Sequence, residues 1–212
     1  MEYLAIIDYN LGNVRSVQKA FDYLGIPARL TKDEREIRES AGVLLPGVGA
    51  FPYAIKKLKE YGMYGLLREQ AAGKPLLGVC LGMQLLFDKS YEVEEGEGLR
   101  LIPGEIVRFQ PGELKIPHMG WNSLAFTQTP CPLLDGVPEG TYVYFVHSYY
   151  ARMGAPENLC AYAEYGVPVP AIVRSGNVYG AQFHPEKSGD AGLKMLQNFG
   201  ALCGVRGGGE RL

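Results

Sequence analysis

Two short stretches of this sequence hold a thiol, an imidazole and a carboxylate in a pattern that suits acyl transfer. Gly78-Val79-Cys80-Leu81-Gly82 has the G-x-nucleophile-x-G spacing of a sharp strand-to-helix turn, with Cys where hydrolases often carry Ser. The glycines allow a tight turn that lifts the Cys80 side chain above a sheet. The helix N-terminus beneath it favours thiolate, the nucleophilic form. Taken alone, Cys80 suits a small buried apolar residue equally well, because free cysteines are commonly buried. Gln182-Phe183-His184-Pro185-Glu186 supplies the other groups. Two residues apart in an extended stretch, the His184 and Glu186 side chains share a side of the chain. A carboxylate that accepts from one imidazole nitrogen leaves the other nitrogen to face sulfur. Cys80, His184 and Glu186 thus form a coherent Cys-His-Glu set, whose chemistry calls for no cofactor.

Attack on a carbonyl builds an oxyanion, which needs preplaced donors. The backbone N–H of Leu81, directly after the nucleophile, is one. Pro46-Gly47-Val48-Gly49 offers Val48 as the second, with flanking glycines that let the backbone approach a ligand or rotate a peptide plane. As a phosphate loop this stretch is weak, since no GK[ST] or full GxGxxG follows. His118 and His147 compete for the role of base, but neither has a carboxylate within a few residues. No HExxH or CxxC spacing supports a metal, and Cys80, Cys131, Cys160 and Cys203 read as four reduced thiols.

These groups must be positioned by a folded chain, and the composition provides one. The 212 residues are 47% hydrophobic and 21% charged, with a net charge of -2, which excludes disorder and a strong pull toward nucleic acid or anionic lipid. No apolar run approaches the roughly 20 residues of a membrane helix. The first apolar stretch is too short for a signal peptide and has no basic flank, so the reading is a soluble, cytoplasmic protein.

In the first half, strand-like and helix-like segments alternate. Leu4–Asp8, Pro27–Leu30, Gly42–Leu45 and Leu76–Val79 read as strands. Val14, Val17, Ala20, Phe21 and Leu24 share a helical face that Gly25 closes, and Asp33–Ser40 reads as a short exposed helix. Helical spacing recurs at Ala54, Ile55 and Leu58, at Leu66, Leu67 and Ala71, and after Cys80 through Leu85, Leu86 and Phe87. This alternation predicts βαβ units and a mainly parallel sheet. The second half is β-rich, with strands expected at Glu105–Gln110, Tyr142–Tyr149, Ala161–Tyr165, Ala171–Arg174 and Val178–Phe183. Turn signals at Pro111-Gly112 and Ser175-Gly176-Asn177 divide them. A closing helix is expected around Leu193, Leu196, Phe199, Ala201 and Leu202. The expected organisation is one domain over residues 1–204 and a disordered tail over 205–212.

Taken together, Leu45–Gly49, Gly78–Gln84 and Gln182–Glu186 resemble the signature blocks of class I, triad-type glutamine amidotransferases. Within that family, Pro117-His118-Met119-Gly120-Trp121-Asn122, Phe145-Val146-His147-Ser148-Tyr149 and Asp8–Asn13 resemble the glutaminase subunits of imidazole glycerol phosphate synthase. The resemblance covers nearly the whole chain except the C-terminal tail. It implies a flavodoxin-like α/β fold with a central, mostly parallel sheet and a β-rich addition. It also implies Cys80 as nucleophile, His184 as base and then acid, Glu186 as its orienter, and Val48 and Leu81 as oxyanion donors. Gly49, Gln84, Ser148 and Tyr149 would hold the amino-acid end of glutamine. Ser148 and Tyr150 stand where relatives can carry Thr and Arg, so a hydroxyl is retained at 148 and the departure falls on position 150. The implied partner is a (β/α)8-barrel cyclase subunit that receives the ammonia. That partner must dock around the mouth of the Cys80 site, with Trp121, His118 and Met119 as the candidate apolar anchor and Asn10, Asn13 and Lys187 as candidate polar contacts. A core tryptophan is the competing reading of Trp121. A free-standing cysteine hydrolase would use the same triad without a partner, and a catalytically inactive binding module would not need all three triad types.

Overall fold

The computed structural model describes residues 2–11, 13–110 and 114–207. Gly12, the Pro111-Gly112 turn signal and residues 208–212 of the expected tail lie outside the described residues. In chain order the elements are β1 (Leu4–Ile7), α1 (Val14–Tyr23), β2 (Ala28–Thr31), α2 (Glu34–Glu39), β3 (Gly42–Gly47), α3 (Phe51–Glu60), α4 (Met63–Gly73), β4 (Leu76–Cys80) and α5 (Leu81–Gln84). Then follow β5 (Phe87–Ser90), β6 (Gly96–Glu97), β7 (Ile102–Arg108), β8 (His118–Ser123), β9 (Ala125–Phe126), β10 (Tyr142–His147) and β11 (Tyr149–Met153). The chain closes with β12 (Leu159–Glu164), β13 (Pro168–Ser175), β14 (Val178–Ala181) and α6 (Gly189–Leu202).

An eight-stranded sheet runs in the order β2-β1-β3-β4-β14-β13-β12-β9, parallel from β2 to β14 and antiparallel beyond. Its parallel strands are apolar because helices cover both faces. Along β1, Leu4 and Ile6 join one core with Phe21 of α1 and Phe199 of α6, while Ala5 and Ile7 join the other with Phe51 and Leu58 of α3 and Leu67 of α4. The alternation along one strand therefore holds two layers of helices. Local rules set the boundaries as expected: Gly25 closes α1 at φ 67, and the Asp33 carboxylate accepts the Glu36 N–H at the start of α2. A four-stranded sheet, β11-β7-β5-β6, and the two-stranded ribbon β8–β10 complete the fold.

The structure departs from the sequence reading at several points, three of which bear on how the chain is routed. Expected to run through Phe87, helix α5 stops after one turn, and Phe87 opens β5. The Leu85 and Leu86 carbonyls accept from Leu99 and Leu101, so distant backbone captures a run whose apolar character fits either state. The single strand expected over Tyr142–Tyr149 is two, because the chain leaves β10 at Ser148 and enters β11 in another sheet. Val205, assigned to the tail, is buried in the α1–α6 core, and its N–H bonds the Gly200 carbonyl at 2.9 Å.

Candidate active site

Three adjacent parallel strands deliver the three motifs to one edge of the large sheet. Pro46 of β3, Val79 of β4 and Ala181 of β14 share one row of the register, and Gly47 pairs with Cys80 in the next. Stretches separated by 30 to 140 residues in sequence therefore end side by side at the carboxyl ends of the strands, where open α/β sheets place ligands. Cys80 is held at φ 55 and ψ -113, an uncommon conformation for a non-glycine residue. The flanking glycines are required by packing. A Cβ on Gly82 would lie 1.8 Å from the Leu45 carbonyl oxygen, and one on Gly78 would lie 2.6 Å from that of Gly82. Helix α5 sits this close on the sheet only without those side chains.

Past the end of β14, His184 and Glu186 are brought together. Imidazole Nδ1 lies 2.8 Å from Glu186 Oε1, and the two side chains are 4% and 2% exposed. The segment is clipped to the ribbon: the His184 N–H bonds the Tyr144 carbonyl, and Ser188 Oγ bridges the Tyr144 N–H and the His184 carbonyl. Burial works against a charged His184 ring, but the adjacent Cys80 sulfur and the Glu186 carboxylate outweigh it and push its pKa up to about 9.

A cleft of about 400 Å³ opens over these groups, lined by Cys80, His184, Val48, Gly49, Leu81, Gln84, Ser148 and Tyr149 among others. All four residues expected to hold glutamine thus share the cleft with Cys80, as do both expected oxyanion donors. The two glycines around Val48 differ in kind. A Cβ on Gly47 would meet Tyr9 Oη at 2.7 Å and the Gly82 nitrogen at 2.9 Å, so this glycine serves close packing. Gly49 stands in open space at φ 102, where only its backbone freedom is at issue. Val48 itself is 40% exposed. Gln84 is buried, its Nε2 donating to the Tyr149 carbonyl at 2.9 Å and to Gln182 Oε1 at 3.0 Å, with no protein partner for its Oε1 among the described residues.

Glu92, Pro117, Val146, His147 and Lys187 also line the cleft. Lys187 was expected only as a partner contact. Glu92 was missed, because it lies in the acidic run Tyr91-Glu92-Val93-Glu94-Glu95, which carries no motif. Its Oε2 accepts the Phe51 N–H at 2.7 Å, fastening the β5–β6 loop to the start of α3 just past Gly49. His147 does not act as base, since both its ring nitrogens have protein partners. Tyr150, the position that departs from the family pattern, stacks on Phe109 with ring centroids 4.7 Å apart.

The residues expected at a partner surface divide. Met119 and Trp121 are 62% and 55% exposed on the outer face of the ribbon, so Trp121 is not a core residue. Asn10, Asn13 and Lys187 are exposed as well. His118 is buried at 3% exposure, which corrects its placement on that surface: alternation along β8 turns it inward while Met119 turns out.

The family model described as glutamine amidotransferase class-I matches residues 5–202. Among curated proteins, the chain is 51% identical over 197 residues to the imidazole glycerol phosphate synthase subunit HisH of Bacillus cereus, covering 92% of this chain and 93% of that one. It is 52% identical to the subunit of the same name from Desulfitobacterium hafniense, over 93% of each chain. The corresponding subunit of Caldanaerobacter subterraneus is 49% identical, over 94% of this chain and 98% of the other. Among solved structures, a glutamine amidotransferase superposes with a TM-score of 0.73 at 21% identity, over 95% and 99% of the two chains. PurLQS from Thermotoga maritima gives 0.69 at 20% identity, over 94% and 98%. At those identities the structural matches speak for the fold.

Proposed function

The chain belongs to the class-I glutamine amidotransferases, and on that premise we propose that Cys80, His184 and Glu186 hydrolyse glutamine as the glutaminase centre of an imidazole glycerol phosphate synthase. The chain converts glutamine to glutamate and ammonia, and the ammonia passes to a cyclase subunit that makes imidazole glycerol phosphate and an aminoimidazole carboxamide ribotide in histidine biosynthesis. The observation that carries the residue roles is the convergence of the β3, β4 and β14 ends on one cleft, with Cys80 strained at its floor and His184 bonded to Glu186 at its side.

The raised pKa leaves His184 protonated at neutral pH. A protonated ring supports negative charge on the Cys80 sulfur and holds a proton for the departing ammonia. Sulfur attacks the side-chain amide carbon, and the carbonyl oxygen gathers charge that the Leu81 and Val48 N–H groups meet. As the C–N bond breaks, His184 gives its proton to nitrogen and a γ-glutamyl thioester remains. The neutral ring then takes a proton from water, whose oxygen attacks the thioester, releasing glutamate, freeing the Cys80 sulfur and leaving the ring protonated again. Glu186, with one oxygen on Nδ1, fixes the ring and stabilises its charge.

The amino-acid end of glutamine is a zwitterion, and the cleft offers both signs. Glu92 can accept from the ammonium and Lys187 can meet the carboxylate, with Ser148 and the Gly49 backbone as neutral donors. Ammonia released into water at neutral pH would protonate and be lost, so a silent isolated chain is the economical arrangement. The Val48 peptide is the proposed gate, turning about Gly49 to complete the oxyanion hole when the cyclase binds its nucleotide ligand. Glutamate release by the chain alone, with the cyclase, and with the cyclase plus its ligand tests the proposal. Strong activation across that series is expected, and full activity in the isolated chain would contradict the gate.

A further inference from the structure

The buried pair His118 and His147 takes no part in the chemistry above, yet its hydrogen bonds lead into the substrate cleft. The Tyr149 carbonyl can only accept, so His147 Nδ1, 2.8 Å away, carries a hydrogen. Nε2 of a neutral His147 is then an acceptor, and His118 Nδ1 at 3.0 Å must be its donor. His118 Nε2 is in turn left to accept, and the Asn122 amide nitrogen lies 3.3 Å from it. Each bond fixes the direction of the next, and the chain closes only if both rings are neutral. Burial keeps them so, holding their pKa values down to about 4 for His118 and about 3 for His147. The His118 ring is further clamped between Phe145 and Tyr165, with centroids 4.6 and 4.0 Å away. At the other end of the chain, the Tyr149 carbonyl also accepts from Gln84 Nε2, so one oxygen joins the histidine pair to the side chain expected to meet glutamine.

We infer that His118 and His147 are positioning residues for glutamine: they fix the Tyr149 carbonyl, and through it Gln84, so that the amino-acid end of the substrate meets a preset wall. The inference rests on the glutaminase reading of the cleft. It separates two properties of His118, the aromatic ring that packs and the Nδ1–H that donates. His118→Phe keeps the ring and removes the donor. His118→Asn removes the ring and keeps an N–H near the Nδ1 position.

The test is the glutaminase kinetics of the complex with the cyclase and its nucleotide ligand. His118→Phe leaves a buried acceptor on His147 unpaired and is expected to raise KM for glutamine about ten-fold, with kcat within about two-fold. His118→Asn is expected to recover most of that loss. A Phe variant with unchanged KM, a fall in kcat at constant KM, or an Asn variant no better than Phe would overturn the inference and leave only packing. If His118→Phe fails to fold, Asn122→Leu puts the same question from the far end of the chain of bonds. A two- to three-fold rise in KM is expected there, and no change would overturn the inference. A wild-type complex that released no glutamate would instead overturn the glutaminase reading, and this inference with it.

Discussion

At the ends of β3, β4 and β14 the reacting groups stand on backbone that is buried on both faces and paired within one sheet, whereas the ribbon β8–β10 buries one face and leaves Met119 and Trp121 of the other exposed. Both regions border the same cleft. In the first, glycines are fixed by close approach, as at Gly47, Gly78 and Gly82, and nothing can shift without displacing backbone. The second is an antiparallel pair with only one neighbour per strand, attached to the first through the Tyr144–His184 and Tyr144–Ser188 hydrogen bonds. The difference teaches a division of labour. On the proposed roles, bond-breaking would rest on the rigid strand ends, and the partner surface would lie on the ribbon that holds the His184 segment.

Substitutions in the two regions should therefore fail in different ways. In the rigid half, Cys80→Ala should lower glutamine-dependent synthesis by about 10⁴-fold or more while the complex still uses added ammonium salt. Loss of both activities in an intact complex would break the division. Gly49→Val places a β-branched residue at φ 102 without any clash, so its effect should come through the backbone beside Val48. Loss of one oxyanion donor predicts a fall of about 10²- to 10³-fold in the activated rate, with complex formation unchanged. Weakened assembly at normal turnover would place Gly49 in the wrong region.

Glu186→Gln should cost less, about 10- to 100-fold in kcat, because the carboxylate orients rather than reacts. Its charge helps to raise the His184 pKa to about 9, so the alkaline limb of the rate profile should move to lower pH in the variant. The sign for stability follows the same cause. A folded-state pKa raised above the ordinary 6.5 stabilises the fold most below pH 6.5, and that contribution is lost as pH rises through about 9. Unfolding curves at pH 6 and pH 10 should therefore differ less in Glu186→Gln than in the wild type. The smallest effect belongs to the ribbon: Trp121→Ala should weaken cyclase binding about 30-fold while the isolated chain keeps its melting temperature. Unchanged affinity would remove Trp121 from the docking surface.

How much could be read beforehand follows the same boundary. The β3, β4 and β14 strands, the elbow at Cys80 and the His184–Glu186 pair are legible because each rests on local rules of run length, glycine spacing and period-two projection. The ribbon half is not. Whether Leu85-Leu86-Phe87 continues a helix depends on Leu99 and Leu101, and whether Tyr142–Tyr149 is one strand or two depends on which sheets claim its ends. Glu92 reaches the cleft from an acidic run by capping α3, a contact across 41 positions that no local pattern announces. The Pro117–Asn122 block suggests an outward His118 beside Met119 and Trp121, but the pleat sends it inward. For glutamine binding, the four residues that the resemblance implies, Gly49, Gln84, Ser148 and Tyr149, all line the cleft with Cys80.

We propose that the thiol of Cys80, alone among four buried cysteines, carries the acyl group. The complex turning over glutamine can be quenched in acid, digested and weighed peptide by peptide. A γ-glutamyl group is expected on the peptide that holds Cys80, absent when glutamine is omitted and depleted as the quench is delayed past substrate exhaustion. No adduct at Cys80 during steady turnover, or an adduct on Cys131, Cys160 or Cys203 instead, would contradict the account.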